Sequence, residues 1–413
     1  MIFYNLAIYL YAFIVRIISP FHKKARKMIH GHKETYNILR SKVDSNAEYI
    51  WFHAASLGEF EQGRPIIEAI KERYPQYKVL LTFFSPSGYD VRKDYPLADI
   101  VCYLPFDKKR NVKKFLGIIQ PRMAVFIKYE FWYNFLNQLH KRDIPCYIIS
   151  AIFRKNQIFF RWYGKGMQKI LKLYTALFVQ DDNSAQLLQG IGISKNVQVC
   201  GDTRFDRVID ICKQTKNIEI AEIFAQKATE SNQTILVAGS SWPKDEDIFI
   251  PYFNTTEELK LIIAPHEIHE SHLKYIESSL KRPSVRYSQA KAEDIVNYDC
   301  IILDSFGMLS SIYGYGQIAY VGGGFGVGIH NVIEAAVYSI PVIFGPNFKK
   351  FIEAAGLIEQ GGGYSINSSD TFRGLMDEFL QYHETLETAG QHAGNYVKSK
   401  AGAVKNIINK LPL

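Results

Sequence analysis

The sequence predicts an α/β protein with two parallel sheets, each covered by helices on both faces. The chain has 413 residues, which is long for one ordinary core and suits two domains. Short apolar runs alternate with amphipathic segments from Tyr49 onward, as in strands joined by helices. A more polar stretch, Lys213 to Asn232, interrupts this alternation and marks the boundary between the two sheets.

Composition narrows the class of protein further. Apolar residues make up 47% of the chain and aromatic residues 14%, which excludes a disordered protein. The five cysteines are scattered and form no C-x-x-C pair. This pattern suits a reducing compartment and argues against a disulfide framework and a zinc site.

The first 20 residues predict a membrane anchor. An apolar run from Leu6 to Val15 is short for a span of about 20 residues, and a basic cluster follows it: Arg16, Lys23, Lys24, Arg26, Lys27 and Lys33. Apolar residues followed by cations suit the interface of an anionic leaflet. We expect residues 1–27 to contact the cytoplasmic leaflet of the inner membrane and no nucleic acid. A single spanning helix and a plain packing helix remain the alternatives.

The rest of the chain divides into two strand-rich segments. In residues 21–212 the predicted strands are YIWFHAA, VLLTFF, IVCYLPF, MAVFI, CYIIS, ALFVQ and VQVCG. In residues 213–388 they are TILVAGS, LKLIIAP, CIILDS, IAYVGGG and PVIFG. A final helical stretch in residues 389–413 has no strand after it, and we expect it to pack back on the first domain. Ligands bind beyond the carboxyl ends of such strands, and two facing sheets predict an interdomain cleft.

A carboxylate follows the first strand. Glu59 lies in Ser56-Leu57-Gly58-Glu59, between a strand and a predicted helix. A carboxylate at this position could act as a general base towards a sugar hydroxyl. The alternative is a helix-capping acid.

Two further groups occupy the same edge of the first sheet. Glu130 follows the strand MAVFI beside Phe131 and Trp132; aromatic neighbours would raise its pKa, and a structural role is the alternative. Ser85 and Ser87 follow the strand VLLTFF, where they offer hydroxyls or simply cap a helix.

The loop after Val321 predicts a nucleotide site. Its five glycines, at positions 322, 323, 324, 326 and 328, precede a helix expected to begin near His330 and Asn331, which suits a phosphate. The dinucleotide fingerprint G-x-G-x-x-G fails at Val327 and at Ile329. Glu334 could accept from both hydroxyls of a ribose. A glycine turn that merely packs is the alternative.

Other candidates flank the predicted cleft. Arg204, in GDTRFD, could bind a phosphate or a carboxylate, or pair with Asp206 at a hinge. Ser240 and Ser241 follow the strand TILVAG and could hydrogen-bond phosphate. Histidines at 266, 269 and 272 do not form H-E-x-x-H, so we predict a polar loop and no metal site.

The blocks HAASLGEFEQGRP, KYEFWYN, GDTRFD, AGSSWP and GGGFGVGIHNVIEAA, in this order behind an apolar helix, resemble the 3-deoxy-D-manno-octulosonic acid (Kdo) transferases of lipopolysaccharide assembly. This resemblance implies a GT-B fold, a CMP-Kdo donor, a lipid A precursor of lipid IVA type as acceptor, anomeric inversion, and neither metal nor cofactor. Glu59 matches the family's catalytic base and Glu130 its second acidic residue. Arg204 stands where the family has a lysine.

We therefore assign residues to two sides of one reaction. The predicted donor-binding residues are Arg204, Ser240, Ser241, Gly323, Gly324, His330, Asn331 and Glu334. The predicted acceptor-binding residues are Ser56, Gly58, Ser85, Ser87 and Arg64. Two other functions stay open: a UDP-sugar transferase or epimerase of the same architecture, and a catalytically silent nucleotide-binding protein at the membrane.

Overall fold

A computed structural model describes residues 1–214 and 217–413. Residues 215–216, in the polar stretch predicted to separate the domains, lie outside the described residues. The chain forms two compact units: Met1–Asp206 with Ala401–Leu413, and Arg207–Lys400. The division thus falls six residues before the predicted boundary at 212/213.

The first unit is built on a seven-stranded sheet. Its strands are β1 (Tyr49–Ala54), β2 (Lys78–Phe83), β3 (Ile100–Tyr103), β4 (Met123–Ile127), β5 (Cys146–Ala151), β6 (Ala176–Val179) and β7 (Val197–Val199). They lie in the order β3-β2-β1-β4-β5-β6-β7 and all pair in parallel. The central strands are fully buried apolar runs, as a sheet covered on both faces requires.

Nine helices belong to this part of the chain: α1 (Ile2–Ile18), α2 (Lys23–Lys42), α3 (Leu57–Arg73), α4 (Pro86–Arg92), α5 (Lys109–Ile119), α6 (Tyr133–Lys141), α7 (Lys165–Leu171), α8 (Asp182–Gln189) and α9 (Thr203–Lys213). Helix α9 contains the boundary between the units. Because every strand is parallel, the segments that follow the strands all leave from one edge of the sheet.

The second unit has its own seven-stranded parallel sheet. Its strands are β8 (Thr234–Ser241), β9 (Leu259–Pro265), β10 (Ser284–Arg286), β11 (Cys300–Ile302), β12 (Ile318–Val321), β13 (Val342–Phe344) and β14 (Gly363–Ser365), in the order β10-β11-β9-β8-β12-β13-β14. Its helices are α10 (Glu219–Glu230), α11 (Pro243–Phe253), α12 (Glu270–Ser279), α13 (Leu309–Ile312), α14 (Ile333–Ala336), α15 (Ile352–Glu359), α16 (Ser369–Gln381) and α17 (His383–Lys400).

The end of the chain differs from its prediction. We expected residues 389–413 to pack back on the first domain, but α17 belongs to the second unit through Lys400. Only the following segment, with α18 (Ala403–Ile408), returns to the first unit. There Ile407 and Ile408 enter the apolar core beside α3, and Asp206 accepts a hydrogen bond from the backbone N–H of Gly402 at 2.8 Å.

Helix α1 is docked on the first unit through one side. Ala12 is buried there, and Tyr11 contacts the rings of Phe84 and Phe106. The other side exposes a stripe of apolar residues: Phe3, Leu6, Leu10, Phe13 and Ile17. Among the described residues, no single helix has both the length and the apolar composition to cross a bilayer; α1 and α2 meet that test only together, with a bend of 116° between them.

Candidate active site

Glu59 lies in the first turn of α3, directly after β1. Its Oε2 accepts a hydrogen bond from the backbone N–H of Ser56 at 3.1 Å, and the two residues form a capping box. The capping role that we considered for Glu59 is therefore present. Oε1, however, makes no hydrogen bond to any residue that the structure describes. One carboxylate oxygen positions the side chain and the other is available to a ligand.

The charge environment of Glu59 suits a base. Burial raises the pKa of its carboxyl above the usual value, and the negative charge of Glu130 raises it further. His53 and Lys128 oppose this rise. A carboxylate with a raised pKa takes a proton more readily than an ordinary one, as a general base must.

Glu130 lies in the interior behind Glu59. Its side chain is only 4% exposed, and its Oε2 accepts a hydrogen bond from the indole N–H of Trp132. The same oxygen lies 2.8 Å from Nε2 of His53, whose Nδ1 contacts Thr82. Glu130 therefore acts on the site through its charge and through the residues it holds in place.

The predicted acceptor-binding residues are arranged in two groups. Ser85 caps α4 and its hydroxyl lies 3.0 Å from that of Ser87. The backbone N–H of Ser85 donates to the carbonyl oxygen of Ala55 at 2.8 Å, which places this turn beside the loop that carries Glu59. Gly58 is exposed, and a side chain there would meet open space.

Arg64 is differently placed. It lies on α3, where its Nε donates to Glu68 at 2.6 Å and its guanidinium lies 3.8 Å from Glu61. Five residues along a helix amount to about 500° of rotation, so Arg64 leaves α3 on a different side from Glu59. Its contact with the acceptor stays a prediction.

Arg204 lies in the first turn of α9, within the first unit. Its Nε and Nη2 both donate to Asp202 Oδ2, at 2.9 and 2.7 Å. We considered Asp206 as its partner; the Asp206 carboxylate accepts from the backbone of Gly402 and Val404. Asp202 thus orients the guanidinium that we predict to bind the donor.

In the second unit, the glycine loop is a close backbone junction. A Cβ on Gly322 would overlap the carbonyl oxygen of Ser240, and one on Gly324 would lie 2.5 Å from Cα of Gly345. Gly323 has φ of +92° and donates its N–H to Asp245 at 2.8 Å. That N–H is therefore occupied inside the protein. Gly323 and Gly324 are both buried, and they shape the loop.

The helix after this loop is shorter than predicted. We expected it to begin near His330 and Asn331, but α14 begins at Ile333 and has four residues. So short a helix has little dipole to offer an anion. The predicted start of this helix was therefore wrong. The binding of a phosphate beside it stays a prediction, for which side chains would have to supply the donors.

Ser241 supports the site from within. It is fully buried, and its hydroxyl donates to Glu246 at 2.8 Å, so this donor, which we predicted to bind phosphate, is occupied within the protein. Glu246 also contacts Nε2 of His272 at 2.9 Å. Ser240, by contrast, is half-buried at a bulge in β8, with φ of +51°. Such strained non-glycine backbone concentrates at functional sites.

Trp242, His266 and His330 form a stack of three rings at the carboxyl edge of the second sheet. The centroids of Trp242 and His266 are 4.7 Å apart, and those of His266 and His330 are 4.4 Å apart. The indole N–H of Trp242 donates to Nε2 of His330 at 3.2 Å. Since Nε2 must then accept, the proton of a neutral His330 ring lies on Nδ1. Burial and the His266 ring lower the pKa of His330, which favours this neutral form.

Asn331 and Glu334 are paired. The amide of Asn331 donates to Oε1 of Glu334 at 2.8 Å. Its Oδ1 is buried and has no hydrogen-bond partner among the described residues, which leaves an acceptor for a ligand hydroxyl. This pair is the best-formed part of the predicted ribose site.

Sequence reasoning missed several residues of this site. Four residues that hold the loop and the stack together were not predicted as site residues: Trp242, Asp245, Glu246 and His266. The sequence Trp-Pro-Lys-Asp-Glu directly after β8 could have indicated them, because acids at positions N3 and N4 of a helix can hydrogen-bond to the preceding turn. In residues 1–214 and 217–413, no group of three or more His, Cys, Asp or Glu side chains could hold a metal ion.

Comparison with known proteins shows which family the chain resembles. Residues 30–207 match the sequence profile of the 3-deoxy-D-manno-octulosonic-acid transferases. The transferase of Aquifex aeolicus is 28% identical over 82% of this chain and 88% of its own length. That of Rickettsia felis is 26% identical over 84% of this chain and 75% of its own.

A solved structure shows the fold. A UDP-GlcNAc 2-epimerase from Neisseria meningitidis, bound to UDP-GlcNAc, superposes with a TM-score of 0.60 at 14% identity, over 88% of this chain and all of its own. Two Rossmann-like units in one chain, as seen here, are the architecture of the GT-B fold. The profile match over residues 30–207 and these relatives, which cover most of the chain, show that the chain is similar to the Kdo transferases, a family of glycosyltransferases.

Proposed function

We propose that the protein transfers Kdo from CMP-Kdo to a hydroxyl of a lipid A precursor of lipid IVA type, with inversion at the anomeric carbon. Glu59 takes the proton from the acceptor hydroxyl as its oxygen bonds to that carbon. The bond between the anomeric carbon and the phosphate oxygen breaks, and CMP leaves with the electron pair.

The observation that carries this proposal is the state of the Glu59 carboxylate. Oε2 is held by Ser56, Oε1 has no partner among the described residues, and the pKa of the group is raised by burial and by Glu130. A carboxylate that is held by one oxygen and has the other free of hydrogen bonds, just after a buried strand, is suited to proton abstraction. A residue with only a capping role needs neither the raised pKa nor the open oxygen.

On the donor side, Arg204 and His330 would bind the phosphate, and Asn331 and Glu334 would bind the ribose. Arg204 is oriented by Asp202, and the neutral His330 offers Nδ1–H. Both can stabilise the charge that develops on the leaving phosphate. Asn331 and Glu334 accept from the ribose. CMP has a single phosphate, so no diphosphate requires a bridging cation.

Replacement of Glu59 by Gln tests the base. The amide oxygen of Gln can still accept from Ser56, so the cap and the fold should survive. We expect turnover of CMP-Kdo with a lipid A precursor as acceptor to fall roughly 100-fold or more. Calorimetry should find CMP binding nearly unchanged, and binding of UDP in place of CMP would reject the donor assignment. Glu72→Gln, at an exposed position of the same helix, should remain active; near-normal turnover in Glu59→Gln would remove the base from the mechanism.

We propose in addition that the protein works on the cytoplasmic face of the inner membrane. The apolar stripe of α1 is exposed beside the basic helix α2. A lipid-linked acceptor lies in that membrane, and anchorage reduces the search for it to two dimensions. Apolar area and cations each contribute to such binding.

A further inference from the structure

A second exposed aromatic surface lies on the first unit, after β5. Trp162 is 87% exposed and Tyr163 is 61% exposed. Their rings contact each other edge to face, with centroids 5.4 Å apart. Ile158 is exposed beside them. Large rings on a surface expose area that water solvates poorly, and such patches mark interaction sites.

The backbone that presents this pair is ordered by its own packing. Two turns of 3₁₀-helix, Ile158–Phe160 and Trp162–Gly164, precede α7. Phe159 is buried and packs on Phe131 at 4.7 Å. A Cβ on Gly164 would overlap the carbonyl oxygen of Ile158, so glycine is needed for this close turn. The aromatic pair is therefore held outward by a defined structure, and little ordering entropy is lost on binding.

The segment that carries the pair has charged residues of one sign. Between Ile144 and Gln180 the chain contains no Asp or Glu. It contains six exposed cations: Arg154, Lys155, Arg161, Lys165, Lys169 and Lys172. Amphipathic aromatic rings favour the headgroup level of a bilayer, and cations favour anionic headgroups. Their combination fits an anionic lipid surface better than it fits an apolar protein partner.

This surface shares an edge of the first unit with α1. It follows the carboxyl end of β5, and the residues that receive α1 follow β2, β3 and β4. Phe131 contacts Phe159, and two residues later Tyr133 contacts Tyr4 of α1 at 5.7 Å. Glu59, after β1, lies at this same edge.

We propose that residues 154–172 are a second contact with the anionic membrane, in addition to α1. This inference rests on the proposed function, because it assumes that the protein works at the membrane. One helix lying in the interface leaves the protein free to roll about the helix axis. A second contact removes that freedom and turns the edge that carries Glu59 towards the lipid.

Fluorescence of the full-length protein on vesicles tests the proposal. Of the four tryptophans, Trp51 is buried and Trp132 and Trp242 are half-buried, so quenching by brominated acyl chains should report on Trp162. We expect quenching on phosphatidylethanolamine–phosphatidylglycerol vesicles, and its loss in Trp162→Phe. The double variant Trp162→Ala/Tyr163→Ala should bind these vesicles at least about 10-fold more weakly. Lys165→Glu/Lys169→Glu should lose about five-fold for each cation removed.

Matched controls separate the outcomes. Tyr382→Ala removes another exposed aromatic, on the second unit, and should bind vesicles like the wild type. The proposal is overturned if the protein sediments with vesicles while Trp162 is not quenched, or if the double variant binds normally; α1 and Kdo transfer would then still stand. Binding of a single-stranded oligonucleotide that is lost in Lys165→Glu/Lys169→Glu, without vesicle quenching, would also overturn it. If the wild-type protein showed quenching of Trp162 on vesicles but no Kdo transfer, the proposed function would be rejected and the membrane contact would stand.

Discussion

At the scale of single residues, burial and then the charge of a neighbouring carboxylate raise the pKa of Glu59. Glu130 is itself buried, and its negative charge adds to the effect of burial on the pKa of Glu59. His53 pairs with Glu130 at 2.8 Å and holds it there. The pKa of the proposed base thus depends on a residue that need not touch the substrate.

This coupling predicts a pH effect. For an acid with a raised pKa, the active carboxylate is lost as pH falls through that raised value. Glu130→Gln removes the negative charge, so the pKa of Glu59 should fall and the acidic limb of the kcat/KM profile should move to lower pH. The profile is measured on CMP-Kdo turnover. Glu48→Gln, at the exposed ion pair with Arg122, serves as the control, and a limb that does not move would show that Glu59 is not the titrating base.

A second prediction concerns the tautomer of His330. Trp242→Phe keeps a ring on His266 but removes the N–H that fixes Nε2 as an acceptor. Loss of one such hydrogen bond, worth about 1 kcal/mol, should weaken CMP binding several-fold. Nitrogen NMR should show the ring of His330 shifting away from the Nδ1–H form. Trp162→Phe, on the other unit, should change neither quantity; an unaltered tautomer in Trp242→Phe would contradict the assignment.

At the scale of elements, close backbone contact builds the nucleotide loop. Gly322 approaches β8 and Gly324 approaches Gly345 beyond β13, so that the ends of β8, β12 and β13 meet. Asp245, in the first turn of α11, ties this junction together through Gly323 and Tyr320. The loop depends on glycine because backbone atoms, not side chains, lie where a Cβ would be.

Paired glycine substitutions test this account. In Gly324→Ala the new Cβ lies 2.5 Å from Cα of Gly345, and rigid backbone has to move. We expect a loss of about 1–3 kcal/mol in the free energy of unfolding and weaker CMP binding. Gly326→Ala meets only an ordinary contact of 3.5 Å and should stay within about 0.5 kcal/mol of the wild type. Denaturant unfolding and calorimetry measure both; equal effects would show that the junction is not tight.

The strengths and failures of the sequence prediction have physical causes at this scale. The long apolar runs predicted twelve strands, and each is present. The missed strands, β10 (Ser284–Arg286) and β14 (Gly363–Ser365), are short and lie at sheet edges, so their pairing comes from a neighbour and not from their own apolar pattern. Glu59 was found because a strand, a turn and a helix meet there. Asp245 and Glu246 were missed because acids at a helix start are ordinary, and only tertiary structure shows what they hold.

At the scale of the whole molecule, α1 is part of the first unit as well as a proposed anchor. The hydroxyl of Tyr4 donates to Asp107 at 2.6 Å and accepts from the backbone N–H of Tyr133 at 3.1 Å. Asn5 accepts from the amide of Asn134 at 2.8 Å. Asp107 also caps the start of α6. The first turn of α1 is therefore fastened to the segment that carries Trp132 and Glu130.

Deletion of residues 1–20 should consequently have two effects that one substitution can separate. The truncated protein should lose membrane association and activity on the lipid acceptor more than CMP binding, and it should also unfold at a lower temperature.

Tyr4→Phe leaves the apolar stripe intact but deprives Asp107 of a donor and Tyr133 of an acceptor. This variant should lose about 1–3 kcal/mol, or about 2–4 °C for each kcal/mol in units of this size, while it still sediments with vesicles. Tyr9→Phe, whose ring lies under Lys108, should match the wild type in both assays. Wild-type stability in the truncated protein would show that α1 is only an anchor, whereas truncated protein that still sediments wholly with membranes would show that α1 is not the anchor.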